Sequence, residues 1–89
     1  MTEIRFTKSA REQRVGRARA VYVVEHAYAV VRQTRPDQPE VVMFLGDDKT
    51  GRALEVGAVE VSEDLLLVIH VMDLRQKFRG SYEQGKQEE

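Results

Sequence analysis

His70 is the side chain in this sequence best suited to acid–base chemistry. It lies near the end of Leu65–Met72, written LLLVIHVM, a segment that is otherwise apolar. Histidine titrates close to neutral pH, so a histidine near the end of a central strand can act as a general acid or base. The alternative is a half-buried histidine bonded to a backbone carbonyl or to an acid such as Asp73. For a lone histidine, the pattern favours this structural role.

Basic side chains cluster near both ends of the chain. The N-terminal cluster has three members spaced by three, which places them along one side of a helix, and two more after a break. Such a cluster can hold several phosphates of a nucleic acid through salt-sensitive contacts that are largely independent of base sequence. The alternative is an exposed helix face kept in solution by arginine. The members of this cluster are Lys8, Arg11, Arg14, Arg17 and Arg19. The predicted last helix is basic as well, with Arg75, Lys77 and Arg79.

The charges are distributed unevenly along the 89 residues, although the net charge is only −1. Residues 1–36 carry eight basic and three acidic side chains, whereas residues 37–64 carry two basic and eight acidic ones. The remainder is balanced. A dipolar chain of this kind can present a basic surface to RNA or to an acidic partner, or it can pair its own charges on a solvated surface.

Several classes of site are excluded or disfavoured by residue type and spacing. The chain has no cysteine, so it can form neither a disulfide nor a thiolate metal site. Its two histidines are 44 positions apart, and its carboxylates match no known metal-ligand spacing. It lacks phosphate-loop, dinucleotide-binding and nucleophile-elbow motifs. We therefore expect neither a metal nor a cofactor. Without an apolar leader or a long apolar run, we expect a cytoplasmic protein that does not enter the membrane.

The elements that must position these residues can be predicted from periodicity and turn signals. The sequence predicts a single α+β domain over residues 1–89, with two N-terminal helices, an antiparallel meander sheet of four or five strands, and a C-terminal helix. Short connections favour the antiparallel arrangement, with the helices on one face of the sheet. The predicted strands are 4–6, 27–34, 40–45, 53–61 and 65–72. The predicted helices begin after Thr7 or Ser9, span 17–26, and span 74–84 with Asp73 as the cap and 85–89 as a frayed tail.

Two details of register concern the candidate residues. The alternation of strand 53–61 slips in its middle, which predicts one extra residue near Gly57 and Ala58. Strict alternation in the following strand would place His70 on one face with Leu66, Val68 and Met72. In the last helix, an apolar stripe runs along Leu74, Phe78 and Tyr82.

The order of the elements and two segments resemble small bacterial toxins of the BrnT and DUF4258-like group, which are similar in fold to the RelE/ParE superfamily. The segments are FTKSAREQRVGRARAVYVVE, which begins at the end of the first strand, and HVMDLRQKFRGSYE, which covers the final helix. The resemblance extends over roughly residues 3–84. Tyr82 matches the closing tyrosine of the group. The stretch 71–73, followed by Arg75, stands where BrnT-like toxins carry Ser-Ala-Arg.

This resemblance implies the toxin component of a bacterial type II toxin–antitoxin system. Such a toxin would be a metal-independent endoribonuclease acting on RNA, neutralised by a protein antitoxin encoded next to it, as a homodimer or a hetero-oligomer. On this model His70 or Tyr82 would move protons and Arg75 and Arg79 would stabilise charge, while the N-terminal basic cluster would hold the RNA backbone. The alternative is a non-catalytic RelE/ParE-fold protein that acts through protein contacts, for example a gyrase-directed toxin.

Overall fold

Five strands and three helices form the part of the chain that the computed structural model describes, residues 2–11 and 16–88. The predicted α+β class is confirmed. In chain order the elements are β1 (Glu3–Phe6), α1 (Lys8–Arg11), α2 (Arg17–Glu25), β2 (Ala29–Gln33), β3 (Val41–Asp47), β4 (Ala53–Ser62), β5 (Leu65–Asp73) and α3 (Gln76–Gln87). Arg14, a member of the predicted RNA-binding cluster, lies outside the described residues.

The sheet is mixed, with the strand order β1-β5-β4-β3-β2. Strands β2 to β5 form the predicted antiparallel meander, but β1 pairs with β5 in parallel. The prediction of a purely antiparallel sheet is therefore wrong at this one pair. Short turns fix the direction of strands in the meander, whereas β1 is separated from β5 by most of the chain. The β1 register is set by the packing of Ile4 and Phe6 against the core that contains Leu66 and Val68.

The hairpin between β3 and β4 is confirmed, and its turn is held by one buried side chain. Asp48 Oδ1 accepts hydrogen bonds from the backbone N–H of Thr50 at 2.8 Å and of Arg52 at 3.1 Å. This is the local bonding by which aspartate stabilises tight turns. Gly51 has φ of +89°, a conformation that side chains disfavour, so the glycine is required there.

The first core layer lies between the sheet and the two N-terminal helices. Ala20 and Val23 of α2 are fully buried, and α1 contributes Ala10. These side chains pack on residues of β4 and β5: Leu54, Val56, Ala58, Leu66, Val68 and Val71. The valine-rich sequence of α2 is a weak helix former. Tertiary packing of its buried side therefore stabilises the helix, which ends one residue before the predicted His26.

The third helix covers the opposite face of the sheet, so the prediction that all helices lie on one face is wrong. Phe78 and Tyr82 of α3 are buried against Met43 and Leu45. Strand β3 explains the arrangement, because it buries Val42 on one face and Met43 and Leu45 on the other. A strand that is apolar on both faces needs cover on both sides.

The boundaries of α3 differ from the prediction at both ends. The helix begins at Gln76, with Arg75 in the capping position and without a side-chain cap bond. Asp73 ends β5 instead and accepts a 2.6 Å hydrogen bond from Arg52 Nε. At its other end the helix continues to Gln87, which makes residues 85–87 of the predicted tail helical.

A register shift in β5 sets the direction of His70. Gly57 pairs with His70 and Ala58 with Val68, so Ile69 is the extra residue. The shift occurs at the predicted place, but the additional residue is in β5 and not in β4. It puts His70 on the α3 side of the sheet, opposite Leu66 and Val68, which corrects the face predicted from strict alternation. Among the described residues, no helix is long and apolar enough to cross a membrane.

Candidate active site

A buried carboxylate, Glu55, joins the two most suggestive residues of the sequence. Glu55 is the third residue of β4, is inaccessible to solvent, and pairs across the sheet with Leu45 on the α3 side. His70 Nε2 lies 3.1 Å from Glu55 Oε2. Arg75 donates to the same carboxylate from its backbone N–H at 2.8 Å, from Nη2 at 2.7 Å and from Nε at 3.0 Å. We call Glu55, His70 and Arg75 the Glu55 cluster.

Local features of the sheet explain why these three side chains meet. The extra residue Ile69 turns His70 toward Glu55, and His70 lies across from Gly57, which leaves room for the ring. A Cβ atom on Gly57 would lie 3.0 Å from Met43 Sδ and 3.3 Å from His70 Cβ, both tighter than ordinary contacts. The connection from β5 to α3 is fixed by a 3.1 Å bond from the Leu74 N–H to the Ala53 carbonyl. Arg75, the next residue, is therefore held beside Glu55.

The cluster keeps a charged carboxylate in the interior. Burial, the strongest single influence, raises the pKa of the Glu55 carboxyl. The hydrogen bonds from Arg75 and His70 together outweigh burial and hold the pKa below its usual range. The same hydrogen bonds raise the pKa of Arg75. A buried carboxylate with a bidentate guanidinium partner is the arrangement that best offsets desolvation.

Glu55 also determines which nitrogen of His70 can react. When Nε2 carries the proton and donates it to Glu55, Nδ1 is unprotonated and can accept a proton. The His70 side chain is 28% exposed and that of Arg75 is 40% exposed, so solvent or a ligand reaches both. Arg75 has five N–H donors, of which Nε and one on Nη2 serve Glu55. Three donors remain for an anion.

The Glu55 cluster opens onto a cleft of about 170 Å³ on the α3 side of the sheet. Arg35 brings a second guanidinium to this cleft, and Gln33 and Gln38 bring amides. Its other lining residues are Pro39, Val41, Met43, Ile69, His70 and Arg75. A histidine, two guanidiniums and two amides on an apolar floor suit a polar, negatively charged ligand.

A larger cleft lies elsewhere, beside His26. Its volume is about 630 Å³, and its lining includes three acidic residues (Glu25, Asp47 and Asp48) and one lysine, Lys49. The His26 ring stacks on Tyr22 with centroids 4.2 Å apart, and Nδ1 lies 3.0 Å from the Tyr22 carbonyl oxygen. These contacts agree with the role of a helix-ending residue. Size alone does not make this cleft the better candidate, because its histidine contacts a backbone carbonyl and not a buried carboxylate.

Two residues predicted to be catalytic lie away from the cleft. Arg79 is exposed on α3, 3.5 Å from Glu83. Tyr82 is buried, and its hydroxyl donates a hydrogen bond to Asp47 and accepts one from Lys86 at 3.3 Å. Burial and the bond to Asp47 raise the pKa of the Tyr82 hydroxyl. The structure thus brings together His70 and Arg75, but neither Arg79 nor Tyr82 lines their cleft.

The described members of the N-terminal basic cluster lie on the other side of the sheet. All four are exposed on α1 and α2, which pack on the face opposite to α3: Lys8, Arg11, Arg17 and Arg19. The guanidinium of Arg17 lies 5.2 Å from the centroid of the Phe6 ring, and Arg19 Nη1 lies 3.7 Å from Asp48 Oδ2. This basic surface does not adjoin the Glu55 cluster.

Sequence reasoning missed Glu55 and Arg35. Glu55 lies between apolar neighbours in a strand, as Glu60 does, yet Glu60 is exposed and Glu55 is buried. Local alternation cannot separate the two, because it does not show which strand positions α3 will cover. Within the described ranges, no group of histidine and carboxylate side chains is arranged to hold a metal ion. Comparisons with family models, curated proteins and solved structures found no match.

Proposed function

We propose that this chain is a metal-independent endoribonuclease, the toxin component of a toxin–antitoxin pair. One observation carries the proposal: a histidine and an arginine share one buried carboxylate at the edge of an open cleft that holds a second arginine. The resemblance to BrnT-like toxins of the RelE/ParE fold group supplies the toxin context, with a protein antitoxin as partner. The cleft residues supply the chemistry.

The reaction that fits these groups is intramolecular transesterification of RNA. His70 Nδ1 accepts the proton of a ribose 2′-hydroxyl, and the 2′ oxygen attacks the adjacent phosphorus. The bond to the 5′ oxygen breaks, leaving a 2′,3′-cyclic phosphate, and the departing oxygen takes a proton from water. Arg75 and Arg35 offset the negative charge that develops on the phosphoryl oxygens. Glu55 holds the imidazole tautomer and does not touch the substrate.

The direct test incubates the purified chain with single-stranded RNA in the presence of EDTA. We expect fragments that end in 2′,3′-cyclic phosphate. His70→Ala should reduce the cleavage rate at least 100-fold, the lower range for losing a general base. Arg35→Ala should reduce it about 100-fold, the lower range for removing one group that stabilises developing charge. His26→Ala is the matched control, because it removes a histidine outside the cleft. Intact RNA with the wild-type chain would rule out the enzyme.

A non-catalytic binding protein remains the second candidate. The observation in its favour is that Glu55 already engages both His70 and Arg75, an arrangement that also serves stability alone. Inducible expression of the chain with and without its neighbouring gene separates the two. Growth arrest with cleaved transcripts, lost in His70→Ala, supports the ribonuclease. Arrest with intact RNA supports a toxin that acts through protein contacts, such as binding to gyrase.

A further inference from the structure

The cleft beside His70 extends across the sheet to a strand that the proposed reaction does not use. One row of paired residues crosses β5, β4, β3 and β2: His70, Gly57, Met43 and Val31. Adjacent strands lie about 4.8 Å apart, so β2 lies about 14 Å from β5. Gln33, two residues beyond Val31 on β2, also lines the cleft. The cleft therefore has a second polar end, on β2, apart from the end that holds His70.

The floor between the two ends consists of apolar side chains. Gly57 has no side chain, and Met43 Sδ lies 3.0 Å from the position that a Cβ atom on this glycine would take. Val41 and Ile69 line the cleft with Met43. Methionine sulfur makes favourable contacts with aromatic rings, and apolar side chains accept the flat face of a nucleobase. The cleft volume of about 170 Å³ is below the range of about 300–1,000 Å³ for drug-sized ligands, so the cleft suits a single base.

Gln33 is placed to contact the edge of such a base. It is half-buried and pairs with Val41 on the α3 side of the sheet, the side that also carries His70. The Gln33 amide makes no hydrogen bond to the residues that the structure describes, so its oxygen and its amino group are both open to a ligand. A side chain on a strand is positioned more precisely than one on a loop. Gln33 therefore presents one acceptor beside one donor in a defined place.

The connector between β2 and β3 brings a second amide, that of Gln38, to the same cleft. The Glu40 carboxylate joins the two ends of this connector, because it accepts a 3.1 Å hydrogen bond from Thr34 Oγ1 and a 2.7 Å bond from Arg32 Nη1. Within the connector, the Gln38 backbone N–H donates to the Arg35 carbonyl oxygen at 3.3 Å. These bonds shape the connector so that the Arg35 guanidinium and the Gln38 amide line one cleft.

We propose that this end of the cleft selects adenine next to the cleaved phosphate, with Gln33 as the main specificity-determining residue. Adenine presents a donor beside an acceptor, N6–H and N7, and a glutamine amide matches the two with two hydrogen bonds. Guanine presents two acceptors there, N7 and O6, which suit arginine instead. In single-stranded RNA these edges are open to side chains. The inference rests on the proposed ribonuclease, because it names the substrate preference of the same cleft.

Binding and cleavage of matched RNAs test the selection. Each RNA is a short oligouridine whose central residue is adenosine, guanosine, cytidine or uridine. Fluorescence anisotropy with His70→Ala measures binding to intact RNA, and the wild-type chain measures cleavage. The adenosine RNA should bind about tenfold more tightly than the others, within the range for one bidentate amide–base pair, and should be cut next to the adenosine.

A substitution of Gln33 separates base selection from a structural role. In Gln33→Glu the carboxylate can only accept, so adenine N7 loses its donor, and the preference should pass to cytosine, whose N4 amino group donates to glutamate. Gln33→Met removes both hydrogen bonds and should abolish the preference. Gln84→Glu makes the same charge change at an exposed position of α3, so this matched control should keep the preference for adenine. Circular dichroism confirms that each variant is folded.

The results distinguish this inference from the ribonuclease proposal. Adenine-selective binding without cleavage supports the base site and rules out the enzyme. Equal binding and cleavage of all the RNAs overturns the base site alone, and so does a preference that Gln33→Glu leaves unchanged. A preference for guanine also overturns it, because Arg35 and not Gln33 would then contact the base. RNAs that are neither bound selectively nor cleaved overturn both.

Discussion

At the scale of single residues, the Glu55 cluster combines a stabilising role with a chemical one. Glu55 is fully buried, yet its partners His70 and Arg75 reach the cleft. A buried carboxylate loses hydration that only good partners offset, so each partner is held firmly. The same bonds that fix the protein interior therefore orient the two groups that a ligand would meet.

Removing the carboxyl charge should destabilise the fold. Glu55→Gln leaves the donors of Arg75 and His70 facing an amide, part of which is itself a donor. Breaking a fully buried ion pair costs about 3–5 kcal/mol, but both partners here are partly exposed and can regain water. We expect a loss of about 2 kcal/mol in the free energy of unfolding, measured with urea. Glu60→Gln, in the same strand but exposed, should cost less than about 0.5 kcal/mol.

The pH dependence of the folding stability should reveal the ionisation of the Glu55 carboxyl. Because the pKa of Glu55 is lowered on folding, the unfolded chain binds its proton more readily than the folded one. Its contribution is therefore fully present above the usual glutamate pKa of 4.5 and is lost as the pH falls below that value. The melting temperature should decline on acidification below pH 4.5, and Glu55→Gln should make that decline shallower. An unchanged pH profile in Glu55→Gln would contradict this assignment.

At the scale of elements, α3 is held to the sheet by a close approach at one end and an anchor in its middle. The close approach is at Gly85, which touches the backbone of Tyr28. The anchor is Tyr82, whose hydroxyl is bonded to Asp47. Lys86 Nζ donates a 3.0 Å hydrogen bond to the same carboxylate. This bond raises the pKa of the Lys86 ammonium group. Helix α3 begins directly after Arg75. The contacts that fix the helix on the sheet therefore also fix the position of Arg75 in the candidate site.

Two glycines of α3 provide a matched pair of substitutions. Gly85→Ala places a methyl group 2.2 Å from the Tyr28 carbonyl oxygen, so the helix must shift. We expect it to lower the free energy of unfolding by about 2 kcal/mol, within the range for overpacking. Gly80→Ala meets nothing within 4 Å and should raise stability by up to about 1 kcal/mol through helix propensity. Thermal unfolding of the two variants measures the difference, and equal effects would contradict the seating of α3.

Local sequence signals predicted the antiparallel meander, but they predicted neither the direction in which β1 pairs nor the face of the sheet that α3 covers. Turn residues such as those of Gly46–Gly51 specify hairpins, because the chain must reverse within a few residues. The partner of β1 and the side taken by α3 depend on contacts distant in sequence. The direction of His70 was hidden for another reason. The segment LLLVIHVM is apolar on both faces, so its alternation carries no sign of the extra residue Ile69.

At the scale of the whole molecule, the sheet separates two basic surfaces. One is the cleft with Arg35 and Arg75 on the α3 side, and the other is the exposed side of α1 and α2. The uneven charge of the sequence therefore does not produce one continuous basic face across the described residues. A nucleic acid bound in the cleft would contact few cations, whereas one bound along α1 and α2 would contact several.

Salt dependence of RNA binding distinguishes these two surfaces. For single strands the logarithm of the binding constant falls with the logarithm of salt concentration by about 0.7 per neutralised phosphate. Two cleft arginines give a slope of about −1.4, and Arg35→Ala should halve it. Fluorescence anisotropy with His70→Ala, which prevents cleavage, measures the slope on intact RNA. Lys8→Ala and Arg11→Ala should leave it unchanged. If these two variants flatten the slope and Arg35→Ala does not, RNA binds along α1 and α2, and His70 and Arg75 lie too far across the sheet to act on it.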